Sequence, residues 1–261
     1  DRDGGGAPGG LVMSPEPGLY RQALVFDFKS LYPSIIRTFN IDPLSHLRAE
    51  PSASIEAPNG AFFDREPALL PELLSVFFEH RAQARAQGNH LAAQAYKILM
   101  NSFYGVLASD ACRFASGAVA GAITEFGHYL LRWTRALLET SGCRVLYGDT
   151  DSLFVDAHLA DELNDDTVRC RGRELCARIN EALRNHICDT WQMESHLELE
   201  FEKQYRRLLL PPMRHGTGGR AKGYAGLLPS GEVEIVGMEA VRRDWTPMAH
   251  ALQRQLLELL F

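Results

Sequence analysis

The chain has 261 residues, 46% of them hydrophobic, with a formal net charge of −6 at pH 7. That length provides for a sizeable core and two subdomains, while the charge has the wrong sign for a protein coated in nucleic acid, though a local basic groove remains compatible with it. No apolar run reaches the roughly 20 residues of a membrane span, and no charged leader with a hydrophobic stretch opens the chain. The five cysteines, Cys112, Cys143, Cys170, Cys176 and Cys188, show neither a Cys-x-x-Cys pair nor zinc spacing, so thiols in a reducing cytosol are expected.

Residues 1–18 are rich in Gly and Pro and read as a flexible lead-in, whose abrupt start suggests a piece of something longer. Residues 23–28, Ala-Leu-Val-Phe-Asp-Phe, then read as a buried strand that presents Asp27 near its end. A carboxylate there needs a partner, which an ion pair or a cation would supply equally well. A turn at Lys29 and Ser30 leads into a short helix that Pro43 is expected to stop. Backbone N–H groups at such a helix start favour phosphate.

Residues 67–88 read as a helix with an apolar stripe of Leu70, Leu73, Leu74, Phe77 and Phe78; Arg81 and Arg85 share a face at i, i+4. Gln87-Gly88-Asn89 is a turn. A second helix, from about Leu91 to Phe103, places Lys97, Asn101 and Tyr104 on one side and Leu91, Ala95 and Ile98 on another. Facing a common cleft, these cations and the amide would make a site of triphosphate size; solvated helix faces are the other reading. Residues 116–141 give the clearest helix, with Val119, Ile123, Phe126, Leu130, Trp133 and Leu137 as its core stripe and Gly142 at its C′ position.

Two short apolar runs, Cys143–Leu146 and Leu153–Val155, flank Tyr147-Gly148-Asp149-Thr150-Asp151-Ser152. The pattern predicts a β-hairpin with Asp149 and Asp151 at its tip. Two like charges that close repel unless a cation lies between them, and oxygen ligands of this kind suit magnesium, whose remaining ligands are water and substrate phosphate. Taken alone, the motif is also an ordinary Asp-rich turn.

Beyond the hairpin, Asp165, Asp166 and Thr167 offer an N-cap to a helix running through Trp191, with Leu175, Ile179, Leu183 and Ile187 buried. Residues 196–202 alternate as a half-buried strand, with Leu197, Leu199 and Phe201 opposite Glu198, Glu200 and Glu202. Leu208–Leu210 and Tyr224–Leu228 read as further strands joined by a Gly-rich loop. Lys203, Arg206, Arg207, Arg214, Arg220 and Lys222, interleaved with Tyr205 and Tyr224, suit a nucleic-acid backbone. A last helix starts near residue 245.

Three of these runs resemble the motifs of family B DNA polymerases, in the family's order. Asp27-Phe28-Lys29-Ser30-Leu31-Tyr32-Pro33-Ser34 is similar to motif A, Lys97 to Gly105 to motif B, and Tyr147 to Ser152 to motif C. The run Lys29–Asn40 and the segment Ala240 to Pro247 are most similar to bacterial members. The resemblance extends from about Gly9 to the end of the chain. It implies an α+β fold: a palm of mainly antiparallel sheet backed by helices, at 11–66 and 107–245. A helical-hairpin fingers insertion at 67–106, a lead-in at 1–10 and the start of a truncated thumb at 246–261 complete the implied organisation.

The resemblance further implies a DNA-directed DNA polymerase core with Asp27, Asp149 and Asp151 catalytic. Two magnesium ions, or manganese in their place, are implied at Asp27, Asp151 and the Phe28 carbonyl. The Ser30 and Leu31 amides, Tyr32, Arg81, Arg85, Lys97 and Asn101 are implied to meet the incoming dNTP, with Tyr32 as the gate against ribose. Tyr104, Gly105, Thr150, Lys222 and Tyr224 are implied to meet primer–template DNA. Also implied are a sliding clamp bound through a C-terminal part beyond this chain, and a cytoplasmic, nucleoid-associated bacterial setting without a membrane. The family's Lys-Lys-Arg-Tyr is here Ala221-Lys222-Gly223-Tyr224, so the arginine does not carry over and primer grip is expected to rest partly on Arg220. No exonuclease motif is read from the chain.

Two other readings stay open from the residues. One is a weakly active DNA-binding piece of a polymerase. The other is a different metal-dependent phosphotransfer enzyme, against which the Lys-x-x-x-Asn stripe argues, since a hydrolase has no use for it.

Overall fold

A computed structural model describes residues 9–109, 111–213, 218–241 and 243–261. In chain order it has strands β1 (Val12–Met13) and β2 (Gly18–Phe28), helices α1 (Leu31–Thr38) and α2 (Pro43–Arg48), and short strands β3 (Ile55–Glu56) and β4 (Phe62–Phe63). Helices α3 (Leu69–Ala86), α4 (His90–Ala108) and α5 (Gly117–Thr140) precede the hairpin β5 (Arg144–Asp149) and β6 (Ser152–Asp156). Helix α6 (Asp165–Trp191), strands β7 (Leu199–Leu210), β8 (Tyr224–Leu227) and β9 (Val233–Val236), a 3₁₀ turn at Glu239–Val241 and helix α7 (Pro247–Leu260) follow. The α+β class expected from the sequence holds. Two compact units divide the chain: one of residues 1–10, 28–132 and 180–198, the other of 11–27, 133–179 and 199–261.

The second unit is built on a seven-stranded sheet in the order β1-β5-β6-β2-β7-β8-β9. The registers described within it are antiparallel. Inward-facing Val25, Leu146, Tyr147, Phe154, Tyr205 and Leu208 pack as one cluster. Period-2 patterning puts Phe26 on the opposite face, where its ring meets Phe201 at 5.9 Å. Burial of such a ring contributes about 2–3 kcal/mol. The first half of α6 lies against this face: a Cβ at Gly172 would come within 2.8 Å of the Phe201 ring, and the Cys176 thiol donates to the Leu199 carbonyl (3.0 Å).

The first unit is helical. Phe39 of the α1 C-terminus stacks on Phe126 of α5 at 3.7 Å between centroids, and Trp191 meets both edge-on. Asp42 joins three segments with one buried carboxylate. It caps α2 through the Leu44 and Ser45 N–H groups and also accepts from Leu70 N–H (3.0 Å) at the start of α3, which has no side-chain cap of its own. Arg37 ties α1 to α3, donating to Ser75 Oγ (3.0 Å) while its guanidinium lies 4.6 Å from the Phe78 ring centroid. Helices α3 and α4 form a hairpin, with Phe77 against Tyr96 and Phe103.

Several local expectations are corrected. Pro43 does not stop α1, which ends at Thr38; it opens α2 at a position where its missing N–H costs nothing. Of the expected strand at 196–202 only 199–202 is strand, and it is continuous with 208–210 in one strand, β7, whose polar middle carries the Gln204–Gln22 bond. The α6 cap is Asn164, which accepts from Thr167 N–H (2.8 Å), rather than Asp165, Asp166 or Thr167. On α4 the line Leu91, Ala95, Ile98 is exposed, Leu91 at 84%, and the buried line is Ala93, Met100 and Leu107. On α5 the stripe continues through Thr134 and Leu138, not Trp133 and Leu137, because 3.6 residues per turn drifts against a strict alternation of threes and fours. Gly142, at φ 84°, closes α5 as expected, with Cys143 N–H bonded back to Leu138.

No disulfide joins the cysteines among the described residues. No helix of the described residues is long and apolar enough to cross a membrane.

Candidate active site

The carboxylates of the second unit are brought together by strand register. Asp27 on β2 stands opposite Ser152 on β6, and Ser152 stands opposite Asp149 on β5. The three residues form one row, so Asp27 and Asp149 lie two strand spacings apart, about 10 Å between backbones. Directly opposed residues of antiparallel strands share a face, so both carboxylates leave the same side of the sheet. Between β5 and β6 the tip is only Thr150 and Asp151, with Thr150 in the left-handed region at φ 59°. A tip of that length fits the twist of the strands when φ is positive. The edge strand pins it: Thr150 N–H donates to the Leu11 carbonyl at 2.7 Å.

Asp149 is held from three sides. The Tyr147 hydroxyl donates to its Oδ2 (3.2 Å), the Thr150 hydroxyl to its Oδ1 (3.0 Å), and Lys222 Nζ lies 3.5 Å from Oδ1. Tyr147 also accepts the backbone N–H of Lys222 at 2.9 Å. Burial, reinforced by the charge and hydrogen bond of Asp149 against the opposing Lys222 N–H, pushes the Tyr147 phenol up to about 12, so it remains a donor at neutral pH. Tyr224 is half-buried and edge-on to Phe154 at 5.0 Å, and the Tyr205 hydroxyl donates to Glu234 Oε2 (2.6 Å). Burial raises both phenols.

In the first unit, Ser30 precedes α1 in the left-handed region at φ 47°, without a side-chain cap, and its hydroxyl accepts from Arg81 Nη1 at 3.2 Å. Lys29 is bonded to Glu198 through both its backbone N–H (2.9 Å) and its ammonium (2.6 Å). Tyr32 packs its ring on Tyr104 at 4.7 Å, which joins a residue of motif A, about one turn past Asp27, to the end of the motif B stripe. Burial raises the Tyr104 phenol. Lys97 and Asn101 are exposed on one face of α4, and Arg85 is exposed near the end of α3. Gly105 is exposed too, and a Cβ there would meet nothing within 4 Å. The chain's own packing therefore does not require glycine at that position.

Four cations of the basic run are paired with carboxylates of the fold. Lys203 is paired with Glu234 (3.1 Å), Arg206 with Asp165, Arg207 with Asp161 (2.6 Å) and Arg220 with Glu239 (2.7 Å). Arg214 lies outside the described residues. Lys222, its side chain 65% exposed, is the member of the run that reaches the hairpin tip. Hydrogen bonding from Arg207 and Arg206 lowers the Asp161 and Asp165 carboxyls.

Sequence reasoning missed Glu239, which no periodic or motif signal marks. Its side chain is 7% exposed. Burial alone would raise its carboxyl, but bonds from Arg220 and Gln253 prevail and bring it to about 2, against an ordinary 4.5. A carboxyl depressed by folding stabilises the fold above its unfolded value and loses that contribution as pH falls. Glu239→Gln should therefore flatten the acid limb of the stability curve between pH 4.5 and about 2, leaving its shape above pH 5 unchanged. Thermal melts of both proteins across that range check this; parallel curves would remove the ion pair as a source of acid sensitivity.

The donor set at the hairpin is all hard oxygen. Among the described residues no three His, Cys, Asp or Glu side chains gather as a closed metal cage. Magnesium fits such a sparse set, because it is bound by one or two carboxylates with water and phosphate supplying the rest.

A sequence model of DNA polymerase family B matches residues 2–261. The chain is 42% identical to DNA polymerase II of Escherichia coli (strain K12), over 98% of this chain and 33% of that protein. It is 33% identical to a DNA polymerase of Thermococcus sp. (strain 9oN-7), over 98% of this chain and 32% of that one. Against the DNA polymerase alpha catalytic subunit of Drosophila melanogaster it is 29% identical, over 96% of this chain and 17% of that subunit. The chain thus spans a third or less of the length of these relatives.

Proposed function

Because the chain belongs to DNA polymerase family B, we propose that it carries the reaction centre for template-directed transfer of a nucleotide from a dNTP to a primer 3′-OH. The observation that supports this most is the row Asp27, Ser152, Asp149, with Asp151 next to it in the two-residue tip. Asp27 and Asp151, with the Phe28 carbonyl, would hold two magnesium ions. When bound, these supply Lewis-acid stabilisation of charge on the reacting phosphate. In this reading Asp149 belongs to the same acidic site, and its hydrogen bonds keep it oriented.

The first unit supplies the dNTP. Lys97, Asn101, Arg81 and Arg85 bind the triphosphate, and the Ser30 and Leu31 amides hold phosphate oxygens. Ser30 is already engaged by Arg81, which supports a shared role for the two. Its strained backbone conformation is of the kind that clusters at ligand sites. Tyr104 and Gly105 lie along the nascent base pair, where a glycine unexplained by internal packing suits close approach of another backbone. Thr150, Lys222 and Tyr224 serve the primer, with Tyr224 acting through its aromatic cluster and backbone. By this reading the palm is 11–66 with 107–245, and the fingers are 67–106, which hold α3 and most of α4.

Primer extension with magnesium, using the full-length protein and matched dNTPs, tests the reaction. Lys97→Ala resolves the fingers assignment. It should weaken dNTP binding about tenfold or more, since charge-assisted bonds to phosphate are lost, with primer–template affinity unchanged. Unchanged dNTP affinity beside weakened DNA affinity would place Lys97 on the DNA backbone instead.

A further inference from the structure

Lys222 is fixed more tightly than an exposed loop lysine needs to be. It adopts the left-handed region at φ 57°, uncommon for a residue with a side chain. Its N–H is bonded to the Tyr147 hydroxyl (2.9 Å). Its carbonyl sits so close to Gly237 that a Cβ there would be 1.7 Å from the oxygen. Gly237 is itself at φ 59°, so both space and backbone demand glycine. On the next residue, the Arg220 side chain fills the place beside Gly223: a Cβ on Gly223 would meet Arg220 Nε at 3.0 Å and Cδ at 3.1 Å.

Arg220 closes the arrangement with its planar fork. Nη1 donates to Glu239 Oε1 (2.7 Å) and Nη2 to the Gly237 carbonyl (3.0 Å). Glu239 also accepts from Gln253 of α7 at 3.2 Å, and Gln253 in turn accepts from Ala240 N–H. One guanidinium therefore joins the residue that abuts the Lys222 carbonyl to a buried carboxylate anchored on a helix. A bidentate arginine holds such a geometry where a lysine, a point charge on a flexible stem, does not.

We propose that Arg220 and Glu239 are positioning residues for Lys222: a latch that fixes the 220–223 turn and aims the lysine, with Arg220 spent on Glu239 and Gly237 rather than offered to DNA. This rests on the reading of Lys222 as a primer contact. It also reverses the expectation that Arg220 itself takes over primer grip.

The two roles give opposite signs in one variant. Glu239→Gln releases Arg220. A latch predicts weaker primer–template binding, by about fivefold or more; a direct phosphate ligand predicts tighter binding, because a cation is freed. Affinity of the full-length protein for a short primer–template duplex, read by fluorescence anisotropy at several salt concentrations, decides it, with melting temperatures in parallel. Lys222→Ala calibrates the readout and should lower the slope of log affinity against log salt by about 1. Should Glu239→Gln melt below the assay temperature, Arg220→Lys replaces it. That variant keeps the charge and loses the fork, so a latch predicts weakened binding and a direct ligand predicts wild-type affinity and slope. Weakened Lys222→Ala beside full-strength Glu239→Gln, or beside full-strength Arg220→Lys where that variant stands in, overturns the latch alone. Full-strength Lys222→Ala overturns the primer reading of Lys222 and the latch with it.

Discussion

Replacing Asp151 by Asn should lower the rate of primer extension by about a thousandfold or more while leaving DNA binding and melting temperature near their wild-type values. The change keeps size and hydrogen-bonding shape and removes one negative charge, so what it tests is cation holding. Asp151 occupies a two-residue tip pinned by backbone bonds of its neighbours, and its own N–H returns to the Asp149 carbonyl at 2.6 Å. Loss of oriented charge at a phosphoryl-transfer centre typically costs two to three orders of magnitude per group, and a shared ligand weakens both ions together (roughly 10²–10³-fold for one group). Asp27→Asn should behave alike, because register puts it opposite Ser152, the chain neighbour of Asp151. Single-turnover extension with saturating DNA measures the effect. Near-normal extension by Asp151→Asn would end the assignment, and rescue of either variant by raised magnesium or manganese would strengthen it.

Tyr32→Ala should admit ribonucleotides. The ring follows Asp27 by little more than one turn of chain and lies tilted against Tyr104, so it is packed on one side by the residue proposed to border the nascent pair. A Cβ at Gly127 would meet the same ring at 3.4 Å, so the ring has little room to retreat. Overpacking a dense site by one small group costs about 1–3 kcal/mol, which converts to roughly 5- to 150-fold discrimination against a 2′-hydroxyl. Removing the ring should erase most of that, raising the ratio of rNTP to dNTP incorporation by about tenfold or more, while dNTP incorporation falls much less. A tyrosine that only fills core would act differently: both rates would fall together with the melting temperature. Single-nucleotide incorporation with matched dNTP and rNTP separates the two, and an unchanged ratio would remove Tyr32 from sugar selection.

What the sequence determined by itself was whatever is written in short runs. The hairpin around Asp149 and Asp151 was legible because two short apolar runs flank a turn signal within thirteen positions. So were α5 with Gly142 at its end, and the α3–α4 pair, from their helical period. Asp27, Lys97 and Asp151 stood out because each sits inside a contiguous motif. Boundaries failed where a partner outside the periodic pattern set them. Asn164 took the α6 cap from its neighbours, and β7 stayed whole through Gln204 because Gln22, 182 residues away, bonds it.

The tertiary structure alone decided which charges were already spent. Lys203, Arg206, Arg207 and Arg220 look alike in sequence, and their carboxylate partners lie 31, 41, 46 and 19 residues away. Nothing local specifies those pairings. Bringing chain segments together costs little more for a long loop than for a short one, so separation in sequence does not forbid a pair and proximity does not predict one. Whether an arginine faces DNA or its own fold depends on which carboxylate the packed backbone places within reach, and that is fixed only when β7, the Lys222 turn and α7 have settled against one another's side chains.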